Sequence, residues 1–133
     1  MSAERVYRGG CHCGRIVFEA QGVLDRVYVC NCSICSKKGY VHWLVPAHAF
    51  RLLTPIADVA TYCFNTGEAK HHFCRVCGTA PFHMPRGWPG YVDVNVRCLE
   101  GVDRGQFTVE YFDGRHWEAS IESFAARRRE AAN

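Results

Sequence analysis

The 133-residue chain has no run of 18 apolar residues, so the sequence predicts no membrane-spanning helix. Its first residues, Met1-Ser2-Ala3-Glu4-Arg5, lack the apolar segment of a secretory signal, and the expected location is the cytoplasm. There is no internal repeat, low-complexity tract or linker, and the length suits one domain. A Gly-x-Ser-x-Gly elbow and a phosphate-binding loop are both absent. A zinc deaminase is excluded as well. Its signature needs His-x-Glu ahead of Pro-Cys-x-x-Cys, whereas His116-Trp117-Glu118 comes last here and Phe73, not proline, precedes Cys74.

What the chain has is cysteine, nine in all, in a composition that is 48% hydrophobic and able to form a core. In a reducing compartment such density points to metal or redox chemistry and away from disulfides. Seven of the nine fall in three clusters: Cys11-His12-Cys13-Gly14, Cys30-Asn31-Cys32-Ser33-Ile34-Cys35 and Cys74-Arg75-Val76-Cys77-Gly78. In a strand, residues i and i+2 point the same way, so each Cys-x-Cys pair can face one ion while His12 and Asn31 point away. A Cys-x-x-Cys turn presents two sulfurs together. Gly14 and Gly78 follow their pairs directly, where a positive φ would let the chain reverse.

Seven sulfurs make one Cys₄ site and one Cys₃ site. Closed four-coordinate zinc is structural, and zinc with a free position is the catalytic kind. The middle cluster can form the three-ligand site alone, which leaves the outer pairs for the closed one. A zinc ribbon of Cys32, Cys35, Cys74 and Cys77 is also compatible with the spacing. The formal charge of +3 counts these cysteines as neutral. Seven thiolates and two Zn²⁺ bring it to zero, so the basic balance is no argument for nucleic acid. Cys98 continues the face of Val92, Val94 and Val96 and reads as core. Cys63 also reads as core, and stands as the reserve fourth ligand of the open site.

Three thiolates on Zn²⁺ carry a net charge of −1. Such a site acidifies water less well than three histidines do, and it suits a substrate thiolate better than hydrolysis. Lys37 and Lys38, just after Cys35, could offset a fourth thiolate, although a solvated pair explains them equally.

Short β-like runs dominate the rest: 15–19, 27–29, 40–45, 61–64 and 70–73 about a turn at Asn65-Thr66-Gly67, the alternating 91–96, and 107–112. One helix is predicted, Ser120–Arg129, with Ser120 as its N-cap. The expected fold is mainly β, small antiparallel sheets pinned by zinc. His71 and His72 would face opposite ways, so at most one could reach a metal, and a polar strand surface is expected. His42, soon after the middle cluster, could act as a general acid, and Tyr40 is a second candidate. Trp43 and Trp88 suit either a pocket or the core. Arg127-Arg128-Arg129 reads as a solvated helix end.

Gly-Gly-Cys-His-Cys-Gly at 9–14, Cys-Asn-Cys-Ser-Ile-Cys at 30–35 and Phe-Cys-Arg-Val-Cys-Gly at 73–78 together resemble the glutathione-dependent formaldehyde-activating (GFA) enzymes and centromere protein V. Val96-Arg97-Cys98-Leu99-Glu100 is similar to the family too. The resemblance spans about residues 4–115, which implies a single zinc-binding domain there and a C-terminal extension over 116–133. It implies a β-tent fold, a structural zinc on Cys11, Cys13, Cys74 and Cys77, and a catalytic zinc on Cys30, Cys32 and Cys35. The implied reaction joins glutathione to formaldehyde as S-hydroxymethylglutathione, formally carbon–sulfur lyase chemistry. The family often has histidine where this chain has Asn31, a departure that bears on substrate identity. A non-catalytic zinc-stabilised module for a protein or nucleic-acid partner is the alternative reading.

Overall fold

The computed structural model describes residues 4–103 and 107–132, with side chains up to residue 124. The arginines at 127–129 fall in the last turns of a helix, outside the described side chains. The chain runs β1 (Arg5–Gly10), β2 (Val17–Gly22), β3 (Arg26–Cys30), α1 (Ser33–Lys38), β4 (His42–Pro46), β5 (Phe50–Leu52), β6 (Val59–Tyr62), β7 (Lys70–Cys74), β8 (Phe82–Met84), β9 (Tyr91–Asn95), β10 (Thr108–Phe112) and α2 (Trp117–Ala132). No described helix is long and apolar enough to cross a membrane.

The mainly β reading holds. A three-stranded sheet has the order β1-β2-β5, and a seven-stranded sheet the order β10-β3-β4-β9-β8-β7-β6. All pairs are antiparallel except β3 with β10, which is parallel. The strands at 5–10, 50–52 and 82–84 and the helix α1 were not predicted. The last two strands have three residues each, too few to show a period. The C-terminal helix starts at Trp117, so Ser120 lies within it and is not its cap; a turn over Gly114–His116 leads straight in.

The main core lies between the sheets. Tyr7, Ile16, Phe18 and Ala20 meet Trp43, Val45, Phe82, Val92 and Val94, all buried. Tyr7 packs edge-on against Trp43 at 5.4 Å, so Trp43 is a core residue. Side chains of period 2 put Leu44 on the opposite face of β4, where it joins Tyr28, Phe112 and Phe124 of α2 in a second cluster. Trp117 and Ile121 pack against that cluster too. The large sheet is therefore covered on both faces. On the second face, register aligns Leu44 with Asp93, Asp93 with His83, and His83 with His71 across β4, β9, β8 and β7. Beyond Leu44 that row is polar, and its His83 and His71 line the cavity described next.

Candidate metal centres and cavity

The nine cysteines are all free thiols, and the structure brings seven of them into two groups. Cys11 and Cys13 follow β1, and Cys74 ends β7. With Cys77 their sulfurs all lie within 4.8 Å of one another. Cys11–Cys13 and Cys13–Cys74 are each 3.6 Å apart, close to the ~3.8 Å edge of a tetrahedron with 2.3 Å Zn–S bonds. Backbone N–H groups of Ile16, Val76 and Cys77 donate to these sulfurs at 3.2, 3.4 and 3.4 Å, as thiolates require. Gly14 and Gly78 have φ of 85° and 81°, so both knuckles do reverse through a residue without Cβ.

Cys30, Cys32 and Cys35 form the second group. Cys30 ends β3. Cys32 is the N-cap of α1, its Sγ accepting from the Cys35 N–H at 3.4 Å, and Cys35 sits in the first turn. The helix stops at Gly39, φ 64°, so the sequence spends six residues on a turn that gathers three sulfurs. Hydrogen bonds from Cys30 and Cys35 pull the Cys32 thiol far down, while the contact with Cys32 pushes Cys30 up and contacts with Cys30 and then Cys32 push Cys35 up. Three thiols this close share one negative charge among themselves, and three thiolates need a divalent cation. Both groups could hold zinc. Cys32 and Cys35 belong with Cys30 and not with Cys74 and Cys77, so the ribbon grouping is absent.

Cys63 is exposed on the segment after edge strand β6 and joins neither group, which corrects both its core reading and its reserve-ligand reading. Cys98 is half-buried in a turn after β9, and burial pushes its thiol up to about 11. His12 is exposed. Asn31 points away from the sulfurs. Its Nδ2 donates to Asp113 Oδ1 at 3.0 Å, and its Oδ1 and carbonyl O accept from Arg115 N and Nε at 3.0 and 2.9 Å. It thereby fastens the 113–115 turn over the cluster.

The three-cysteine group opens onto a cavity of about 460 Å³. Apolar walls come from Phe64, Trp88, Phe112, Trp117, Ile121 and Phe124, and Arg86 and Arg115 supply positive charge. Arg86 stacks on Trp117 at 3.8 Å and bonds Glu118 at 3.3 Å. Lys37 and Lys38 do not line this cavity; they border a separate groove with Tyr62 and Phe73.

Histidines form its floor. His42 lines it from β4, and His71 and His83 line it from β7 and β8. His71 is buried, not on a polar surface, because β7 lies inside the sheet; burial holds its pKa down. It stacks on His83 at 5.1 Å. Burial also depresses His83, to about 3. Beneath them Asp93 is 0% exposed. Tyr28 O–H donates to its Oδ2 at 2.5 Å, with His42 Nδ1 at 2.9 Å and His83 Nε2 at 3.6 Å. Burial alone would raise the Asp93 carboxyl, but the two imidazoles and the bonds from His42 and Tyr28 outweigh it, and its pKa is held low. Tyr40 is a structural partner, its hydroxyl bonded to the Asp93 carbonyl at 3.0 Å. Sequence reasoning found His42 and missed His83 and Asp93. Pro81-Phe82-His83-Met84 carries no motif, and an aspartate between valines reads as the wet side of a strand.

Residues 6–115 match the family described as glutathione-dependent formaldehyde-activating enzyme. A Rhodobacter sphaeroides protein of known crystal structure is 34% identical, with a TM-score of 0.71 over 78% of this chain and 98% of that one. The chain belongs to the glutathione-dependent formaldehyde-activating family.

Proposed function

We propose that this family member joins a small thiol such as glutathione to an aldehyde such as formaldehyde, forming an S-hydroxymethyl-type adduct by carbon–sulfur lyase chemistry. The observation that supports this most is the three-cysteine group opening onto a cavity, beside a four-cysteine group that can close on its own ion. When bound, zinc at Cys30, Cys32 and Cys35 supplies a soft Lewis acid that favours a substrate sulfur as thiolate. Cys11, Cys13, Cys74 and Cys77 are assigned the structural ion. The domain proper is assigned to 4–115, and the 116–133 extension contributes Trp117, Ile121 and Phe124 to the cavity wall. That apolar wall limits water around the reacting sulfur. Arg115 lines the cavity and favours a thiol carrying carboxylates, as glutathione does, whereas Arg86 is already paired with Glu118. His42 stands on the same cavity as proton donor to the adduct oxygen.

Calorimetry of glutathione binding to the zinc-loaded protein tests the reading, run in buffers of different ionisation enthalpy. Binding should release a proton, because a free thiol with pKa near ~8.5 is largely protonated at pH 7. It should vanish in Cys32→Ser while the fold persists. Failure of glutathione and several other small thiols to bind, with both zinc ions present, would leave the non-catalytic binding module as the better account.

A further inference from the structure

Asp93 Oδ2 accepts from Tyr28 O–H and has His42 Nδ1 at hydrogen-bond distance, with His83 Nε2 farther off at 3.6 Å, and both imidazoles also line the cavity. A carboxylate has no hydrogen to give, so the nitrogen bonded to it, His42 Nδ1, must carry one. In a neutral ring the other nitrogen is then a bare acceptor. That other atom, His42 Nε2, is buried and has no hydrogen-bond partner. Buried polar atoms are nearly always paired, and Arg86 Nε and Trp88 Nε1 on the same cavity are orphaned too, so the bare His42 Nε2 marks the place of a ligand's donor. The hydroxyls that could have filled it are committed: Tyr28 to the carboxylate and Tyr40 to the Asp93 backbone.

We propose that Asp93 is the positioning residue of an imidazole proton-transfer centre on the cavity that the cysteine triad also lines, with His42 as the group that both accepts and returns the proton. The step rests on the thiol–aldehyde reading and balances without a further reactant. The S–H bond breaks as the thiol binds, and its proton passes to His42 Nε2, which exchanges it with the buffer, so this is the proton the calorimetry reads. The sulfur lone pair forms the C–S bond, and the carbonyl π pair moves to oxygen. That oxygen then takes the proton back from Nε2–H, and the ring returns to its starting tautomer. This goes past a simple acid role for His42, since an acid must first be charged, whereas a ring held by Asp93 with Nε2 bare begins as a base.

Asp93, His42 and His83 have ligand atoms within 4.8 Å of one another, a spacing that also admits a divalent cation. The experiment separates the two. Long-range ¹H–¹⁵N correlation of the imidazoles in the ¹⁵N-labelled, zinc-loaded wild type should show His42 protonated on Nδ1, with Nε2 at the shift of a bare acceptor. The reverse tautomer on His42, or a metal-shifted nitrogen on either ring, overturns the proposal without any variant having to fold. Asp93→Asn should release the His42 tautomer and lower kcat for adduct formation on the order of 100-fold or more, with KM for the thiol little changed. Unchanged kcat in that variant, with the tautomer lost, also overturns it. The expected tautomer in a protein that forms no adduct with any thiol would keep the Asp93 arrangement and remove the thiol–aldehyde reading instead.

Discussion

Gly114 lies against Cys30 so closely that a Cβ at Gly114 would stand 2.5 Å from the Cys30 sulfur and 2.9 Å from Cys32 Cβ. The Asn31 bonds hold this turn in place. Gly114→Ala must therefore displace the turn or the sulfur. The expected outcome is a folded protein whose second zinc binds at least ~10-fold more weakly, read by competition with a chromogenic chelator. Unchanged affinity would mean that the turn yields and the sulfur does not.

Metal content gives a second prediction. Protein purified without chelator should carry about two zinc per chain, one released quickly to chelator and one slowly, because a closed four-sulfur site exchanges less readily than one with a free position. An iron signal, or none, would end the zinc assignment.

Cys74 and Cys32 should differ in what they sustain. Cys74 is buried and joins β7 to the N-terminal hairpin through its group, and a structural zinc contributes on the order of 10 kcal/mol. Cys74→Ser should unfold or aggregate. Cys32→Ser should keep the wild-type circular dichroism and lose the second zinc. The opposite ranking would invert the two roles.

His83 predicts an acid sensitivity. Its folded pKa of about 3 lies below the ordinary 6.5, so the unfolded chain binds the extra proton between those values. Its contribution is complete above pH 6.5 and is lost as pH falls towards 3. From pH 7 to pH 5 that loss amounts to about 2 kcal/mol. Urea melts of wild type and His83→Gln at both pH values should show a correspondingly shallower loss in the variant. Equal slopes would show that His83 is not held neutral.

The cysteine clusters were legible because metal ligation is a local, spaced signal: Cys-x-Cys and Cys-x-x-Cys each present two sulfurs by their own backbone geometry. The positive φ at Gly14 and Gly78 could be read the same way, from adjacency alone. Period-2 runs located β3, β4, β7, β9 and β10 to within a few residues. His42 was a candidate because it follows the middle cluster closely.

The remainder depended on distant parts of the chain. Val92-Asp93-Val94 alternates as a half-wet strand does, yet β9 lies inside a seven-stranded sheet covered on both faces, and that burial turns Asp93 into an anchor for His42 and His83. His71 reads as surface until Phe64 and His83 stack on it. Cys63 reads as core until β6 proves to be the sheet edge. The sequence by itself determined which sulfurs are available and that small β elements carry them. Only the tertiary structure decided which sulfurs come together, and which imidazoles lie beside a carboxylate under the same cavity, because long-range pairing and burial depend on strand order and have no local period.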